Sequence, residues 1–173
     1  MIVGLGHYAR TGKDEAALAL VADGWQRVSF ADPVRELTLA TNPQIARLVN
    51  VGGWDQAKVH PTVVHVMEDI GRIIRRDFGP DAFIDAALRR ITKLNVVVTD
   101  VRYPNEVQRL RELDAVLIKV ERPGVGPSRP SDRHLIGYRG WDHHLENDGT
   151  VEQLHDRIRQ IVSGHIPRPG GNT

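Results

Sequence analysis

The run Asn95-Val96-Val97-Val98-Thr99 constrains the fold more than any other stretch of the chain. Its consecutive β-branched side chains show no polar alternation, which suits a strand covered on both faces. Such strands belong to sheets flanked by helices on either side. Ile2 to Leu5, Arg27 to Phe30 and Ala115 to Val120 read as further strands. Longer helical patterns separate them, so the chain alternates β and α and predicts an α/β fold with a mostly parallel sheet. At 173 residues it has room for one good-sized domain and too little for two.

The helical segments are read from caps and apolar spacing. Lys13 to Val21 follows the first strand, and a second helix starts near Ala31-Asp32-Pro33 and runs to Leu39 or beyond. Residues 41 to 60, with Asn, Gly-Gly and prolines at both ends, read as irregular or mobile. Pro61 sits well at a first helical position. Beyond it Val63, Val66, Met67, Ile70, Ile73 and Ile74 form one stripe at i, i+3, i+4, i+7 spacing. Asp81 to Ile91 and Pro104 to Leu113 read as helices. Residues 122 to 140, rich in Gly, Pro, Ser and Arg, predict a loop or flap. Thr150 and Gln153 match a capping box for a last helix whose apolar face is Val151, Leu154, Ile158 and Ile161. Residues 164 to 173 read as a frayed tail.

Composition narrows the chemistry. A net charge of +1 argues against a protein that coats a nucleic acid polymer, because that binding rests on a large basic excess. The absence of cysteine removes disulfides, thiolate metal sites and cysteine nucleophiles. No stretch reaches the roughly 18 apolar residues of a membrane span. Met1 to Gly6 has no basic region ahead of an apolar one and reads as a start that runs straight into structure. The expectation is a soluble, cytoplasmic protein.

The most informative stretch for function is Gly4-Leu5-Gly6-His7-Tyr8-Ala9-Arg10-Thr11-Gly12-Lys13-Asp14. A strand, a glycine-bearing loop and Gly-Lys at a helix start form the layout of a P-loop. Backbone N–H groups at a helix N-terminus would point at a polyphosphate, Gly12 would let the backbone come close, and Lys13 would reach the outer phosphates. Two positions depart from the pattern: His7 stands where the first glycine belongs, with Gly6 one place early, and Asp14 replaces the usual Ser/Thr. A plain βα turn remains the alternative. Of the 23 Lys and Arg residues only Lys13, Lys58, Lys93 and Lys119 are lysines, so a lysine at this point is informative.

Other constellations admit two readings each. Asp100, Arg102 and Glu106 follow the Val-rich strand, on the edge where open α/β sheets bind ligands. Asp100 could hold magnesium through water and Arg102 could fork onto a phosphate. They equally fit a helix-start carboxylate and an exposed arginine. On the Pro61 helix, Glu68 and Arg72 are i, i+4 neighbours on a polar face continued by Arg75 and Arg76. The bland reading is a solvated face with one ion pair worth a few tenths of a kcal/mol. Gly71 costs that helix about 1 kcal/mol relative to alanine and hints at close approach by another group. Arg122, Arg129, Arg133 and Arg139 could close over phosphates as a flap or lie on a surface loop. His143-His144 shows no metal spacing, and Asn147-Asp148-Gly149 reads as a turn.

With these residues in place the chain resembles the bacteriophage deoxynucleoside monophosphate kinases, within the P-loop nucleoside monophosphate kinase fold. The pieces come in the family's order: Tyr8 to Asp14, Phe30 to Glu36, Met67 to Gly71, Phe78 to Phe83, Val98 to Glu106, Val120 to Gly124 and Asn147 to Thr150. Asp14 after the loop lysine, a departure from the general motif, is what this family shows. The resemblance implies a three-layer α/β/α P-loop NTPase fold with about five parallel strands. It would be a single kinase domain over residues 1 to 163, with an acceptor-binding insert around 32 to 80 and a lid around 122 to 140.

The resemblance also implies roles. The reaction would move the ATP γ-phosphoryl group to a deoxynucleoside monophosphate, with Mg2+ as cofactor. ATP would be bound by Arg10, Thr11, Gly12, Lys13, Asp14, Glu15 and Arg122. The acceptor would be held by Asp32, Arg35, Glu68, Gly71, Arg72, Phe83, Asp100, Arg102 and Glu106. Lys13, Arg102 and Asp100 would be catalytic, and Asp14 and Asp100 would face the metal. The partners implied are ATP and the acceptor, with no nucleic acid polymer and no membrane, and a homodimer as an assembly to test. The host cytoplasm would be the location for a phage-encoded protein. Three departures stand out: His7, Glu15 in place of threonine, and a short region before Pro61. The alternatives are a kinase resembling dephospho-coenzyme A kinase, a nucleotide binder without catalysis, and an ATP hydrolase.

Overall fold

The structure, a computed structural model, describes residues 1–165. In chain order its elements are β1 (Ile2–Gly6), α1 (Lys13–Ala22), β2 (Gln26–Val28), α2 (Asp32–Thr41), α3 (Pro43–Ala57), α4 (Pro61–Phe78), α5 (Ala82–Leu88), β3 (Val96–Val101), α6 (Pro104–Glu112), β4 (Val116–Glu121), β5 (His143–Glu146) and α7 (Val151–His165). A single 3₁₀ turn, Pro130–Arg133, interrupts the connection between β4 and β5. The residues group into two compact units, one of Met1–Ser29 with the chain from Ile91 onward, the other of Phe30–Arg90. Among the described residues no helix is long and apolar enough to cross a membrane.

The first unit is an α/β sandwich around a five-stranded, all-parallel sheet in the order β2-β3-β1-β4-β5. β1 lies in the middle, with Val3 paired to Val97 on one side and to Val116 on the other. The two-residue period of a strand then separates the layers. Val3, Leu5, Val97 and Ile118 pack with Ala16 and Leu20 of α1 and with Leu154 and Ile158 of α7. Gly4 and Gly6 face the other way. A Cβ on Gly4 would lie 2.9 Å from Leu110 of α6 and 2.9 Å from Leu117, and one on Gly6 would overlap the Trp141 ring. The glycines of β1 therefore let α6 and Trp141 close onto the sheet. The capping box of α7 forms as the sequence predicts, Thr150 N donating to Gln153 Oε1 at 2.9 Å and Gln153 N to Thr150 Oγ1 at 3.3 Å.

The second unit is four helices. Ile45, Ala57 and Val63 form its small core, with Val49, Trp54, Val66 and Met67 against it. Here the expectation for residues 41 to 60 fails: Pro43 opens α3 at a position a proline tolerates, and the segment is helical to Ala57. The glycine signal is still expressed locally, because Gly53 breaks the helix with φ 72° and ψ 175°. The expected stripe of α4 is buried at its start and opens toward its end, where Ile73 is 41% exposed and Phe78 74% exposed.

Two further differences concern the first unit. The fifth strand, β5, carries no apolar run that marks it in the sequence, since only Leu145 of its four residues is buried. Its place comes from backbone pairing with β4, Lys119 opposite His144. At the C-terminus α7 continues through Gly164 and His165, where a frayed tail is expected, and the rest of that expected tail, residues 166–173, lies outside the described residues.

Candidate functional site

The loop between β1 and α1 is organised by backbone conformation. His7, Arg10 and Gly12 have φ of 100°, 65° and 100°. Gly12 serves two needs, because its left-handed backbone excludes most side chains and a Cβ there would overlap the Asn147 amide. That amide donates from Nδ2 to Thr11 O at 3.0 Å, so Asn147 acts as a strut between the β5–α7 connection and the loop. Its reading as part of a turn understated it. His7 stands in a glycine-like conformation without being glycine. Its ring stacks on Tyr8 at 3.7 Å, and its buried Nδ1 has no hydrogen-bond partner.

Lys13 begins α1 and is only 5% exposed. Its ammonium turns back over the loop, donating to Tyr8 O, to His7 O at 3.2 Å and to Thr11 Oγ1 at 3.3 Å. Burial first, and the Arg102 charge second, lower its pKa from 10.5 to about 8, against the raising effect of Asp14, Asp132 and Asp100. An anion placed beside the ammonium would favour its charged form. Thr11 is buried and donates to Tyr8 O at 3.0 Å.

The residues after the loop lysine divide. Asp14 is 78% exposed in its side chain and lies 3.6 Å from Arg27. Glu15 meets His155 of α7, whose Nε2 is 2.9 Å from Glu15 Oε1 and 3.1 Å from Glu15 O. Nothing in the sequence separates His155 from the other seven histidines; only the α1–α7 packing brings it there.

The C-terminal end of β3 carries the other half of the site. Asp100 accepts from Ser29 Oγ at 2.7 Å, and Ser29 is buried just beyond β2. Glu106 in the first turn of α6 is 5% exposed, and its Oε2 accepts from the backbone N–H groups of Arg102 at 2.6 Å and Tyr103 at 3.0 Å. It fixes the turn on which Arg102 is mounted. The Arg102 guanidinium reaches the segment expected to be a flap, donating to Ser131 Oγ at 3.0 Å and Asp132 Oδ1 at 3.0 Å. Asp132 Oδ1 also accepts from Ala9 N, in the phosphate loop, at 3.2 Å. Arg122 is exposed, just past β4. The structure thus brings Lys13, Asp100 and Arg102 close enough for their charges to act on one another, and adds Ser29, Asp132 and Asn147.

The acceptor candidates of the helical unit are arranged locally. Arg35 and Asp32 pair at 2.6 Å within one turn of α2, and the buried Arg35 Nε has no partner. Gly71 is buried on α4, and Arg75 one turn on lies over the Phe83 ring at 5.2 Å from its centroid. Glu68 is exposed. The expected Glu68–Arg72 pair does not form: Arg72 donates to Asp69 at 2.6 Å, the i, i+3 partner winning over the i, i+4 one. Phe83, Ile74 and Phe78 line an apolar cavity of about 540 Å³. At its rim, Arg90 and Glu36 form a two-point ion pair at 2.5 and 2.7 Å.

A parallel sheet whose central strand runs into a Gly-Lys helix start, with a carboxylate and an arginine on the neighbouring strand end, is the layout of a P-loop protein. The particular family follows from comparison. The deoxynucleotide monophosphate kinase family matches residues 65–158, more than half of the chain, and the chain belongs to that family. A protein of Acanthamoeba polyphaga mimivirus, provisionally described as a deoxynucleotide monophosphate kinase, is 27% identical over 191 aligned positions, spanning 94% of this chain and 96% of that one. The crystal structure of TT1252 from Thermus thermophilus shares the fold at TM-score 0.53 and 14% identity, over 96% of this chain and 98% of the other. The protein is a nucleotide kinase by family.

Proposed function

We propose that the protein transfers the γ-phosphoryl group of ATP to a deoxynucleoside 5′-monophosphate, releasing ADP and the diphosphate. The observation that carries this reading is the meeting of three elements at one sheet edge. These are the left-handed loop with the buried Lys13, Arg102 on its braced turn, and Asp100 held by Ser29. Phosphoryl transfer asks little covalent chemistry of a protein. It needs the reactants held in line and cations placed where charge spreads over the moving group.

In this reading the loop amides and Lys13 bind the donor phosphates, while Arg102 faces the phosphoryl group in transit. On the acceptor side, Arg35 is the anchor for the monophosphate. Its side chain is 19% exposed, and its buried Nε lacks an acceptor that an anion would provide. Phe83 and Arg75 are suited to flank a planar base. Among the described residues no three metal-ligating side chains cluster, which fits magnesium, an ion that is bound by one or two carboxylates together with substrate phosphates. Asp100 and Asp14 are the carboxylates that would hold it. When bound, magnesium neutralises charge on the phosphates.

The test is an ADP-release assay with MgATP against dTMP, dGMP, dCMP, dAMP, their ribose counterparts and dephospho-coenzyme A. Turnover confined to deoxynucleotides is the expected result. Turnover only with dephospho-coenzyme A, or ADP release undiminished without any acceptor, would replace this reading with a different kinase or a hydrolase.

A further inference from the structure

Asp132 is the most deeply buried carboxylate near the site, with a side chain of 0% exposure in a segment that is otherwise largely exposed between Arg122 and Gly140. Its two oxygens have different work. Oδ2 faces its own segment, accepting from Ser128 N at 3.1 Å, Arg129 N at 3.2 Å and Ser128 Oγ at 3.4 Å, and so caps the 3₁₀ turn. Oδ1 faces the phosphate loop, accepting from Ala9 N at 3.2 Å and Arg102 Nη1 at 3.0 Å. A loop amide and an arginine converging on one anionic oxygen is the coordination that a phosphate oxygen would take there. Lys13 feels the same carboxylate as a raising charge on its pKa.

We propose that Asp132 is a built-in competitor of the donor nucleotide, its Oδ1 occupying the loop amide and the arginine that the terminal phosphate needs, so that nucleotide binds by displacing it. This rests on the reading of the loop as the donor site. The division of labour between the oxygens makes the exchange feasible. Releasing Oδ1 gives up the bonds to Ala9 and Arg102, and with the segment goes the Arg102 bond to Ser131 Oγ, whereas the cap through Oδ2 travels with its own segment. Phosphate oxygens supply acceptors for the Ala9 amide and the Arg102 guanidinium, so neither is left unpaired after the exchange. The only other buried side chain of the 3₁₀ turn's neighbourhood, Leu135, gives the segment one apolar anchor, and His134 touches Tyr103 at a ring distance of 4.5 Å. The segment's attachment at the loop is therefore mainly polar and can be outcompeted by a polyanion.

The experiment is equilibrium binding of MgATP, and of metal-free inorganic tripolyphosphate, to the full chain and to two variants. Asp132→Ala removes both contacts. Asp132→Asn keeps the shape and can keep only one of its two roles: with its carbonyl on the Ser128 and Arg129 amides, its NH2 group opposes the Ala9 N–H and Arg102. Both variants are expected to bind both ligands about tenfold more tightly, because an affinity reduced by the competing contact is restored when that contact is absent. If Asp132→Ala fails to fold, Asp132→Asn alone decides. Equal or weaker binding by a folded variant, with the wild type binding normally, would overturn the proposal while leaving the donor site intact. If the wild type and both variants bind neither ligand, the donor-site reading fails and this proposal with it.

Discussion

The phosphate loop and the polar face of α4 both carry charged residues near a glycine, and they are built in opposite ways. Around the loop, Lys13 is buried, and its neighbours come from far along the chain: Arg102 and Asp100 from the end of β3, Asp132 from the connection after β4, Asn147 from the end of β5. On α4 the pairs are local and wet, Arg72 with Asp69 three residues away, at 66% and 62% side-chain exposure. A charge held by distant elements in a low-dielectric pocket is fixed in place and weakly screened. A charge paired within its own turn is mobile and screened. In the proposed reading the donor site is therefore the one assembled from partners far apart in the chain.

That contrast can be broken by substitution. Lys13→Ala is expected to lower kcat for phosphoryl transfer by about three orders of magnitude or more, with the thermal unfolding midpoint close to that of wild type, because the loop loses its compact cation. Near-normal turnover would remove the loop from the mechanism. Gly12→Ala should cost about 2 kcal/mol of stability, through the φ of 100° and the overlap with Asn147, and Asn147→Ala in the same chain should recover part of that loss. Chemical denaturation of the single and double variants measures both.

Titration of Lys13 sharpens the comparison further. Burial and Arg102 lower its pKa to about 8 from 10.5, so its positive charge fades as pH climbs through about 8. Binding of metal-free tripolyphosphate should weaken on that alkaline limb, and Arg102→Met should move the limb to higher pH. The stability effect has the opposite sense. The unfolded chain holds the proton up to 10.5 and the folded chain only to about 8, so the Lys13 contribution to stability improves between those values as pH rises. A Lys13→Met variant that shows the same pH dependence of unfolding as wild type would discount this assignment.

His7→Gly relieves a φ of 100° that a histidine tolerates poorly. It should stabilise the protein by about 1 kcal/mol, visible as a rise of a few degrees in the unfolding midpoint. At the small end, Arg72→Ala should shift stability by no more than about 0.5 kcal/mol, since its partner is exposed and local. A loss several times larger would show that α4 is held by more than its own turns.

How much of this was readable in the chain depends on the range of the force responsible. Strands β1, β3 and β4 announce themselves because burial on both faces demands unbroken apolar runs such as Val96-Val97-Val98, and α7 because Thr150 and Gln153 cap it within one turn. Lys13, Asp100 and Arg102 stood out because each closes or follows such an element. By contrast β5 is a strand on account of the β4 backbone beside it, and α3 is a helix although its Asn42, Gly52 and Gly53 argue for a break. Tertiary packing overrides weak local preference in both places.

The sequence by itself determined the α/β class, the phosphate loop and the order of its motifs, because propensity, capping and strand periodicity act over a few neighbouring residues. Only the tertiary structure decided that Asn147 props Gly12, that Ser29 holds Asp100, that His155 meets Glu15, and that Asp132 shares its carboxylate between its own turn and the phosphate loop. Those contacts join residues 71 to 140 positions apart, and no local rule relates such partners until the sheet has set them side by side.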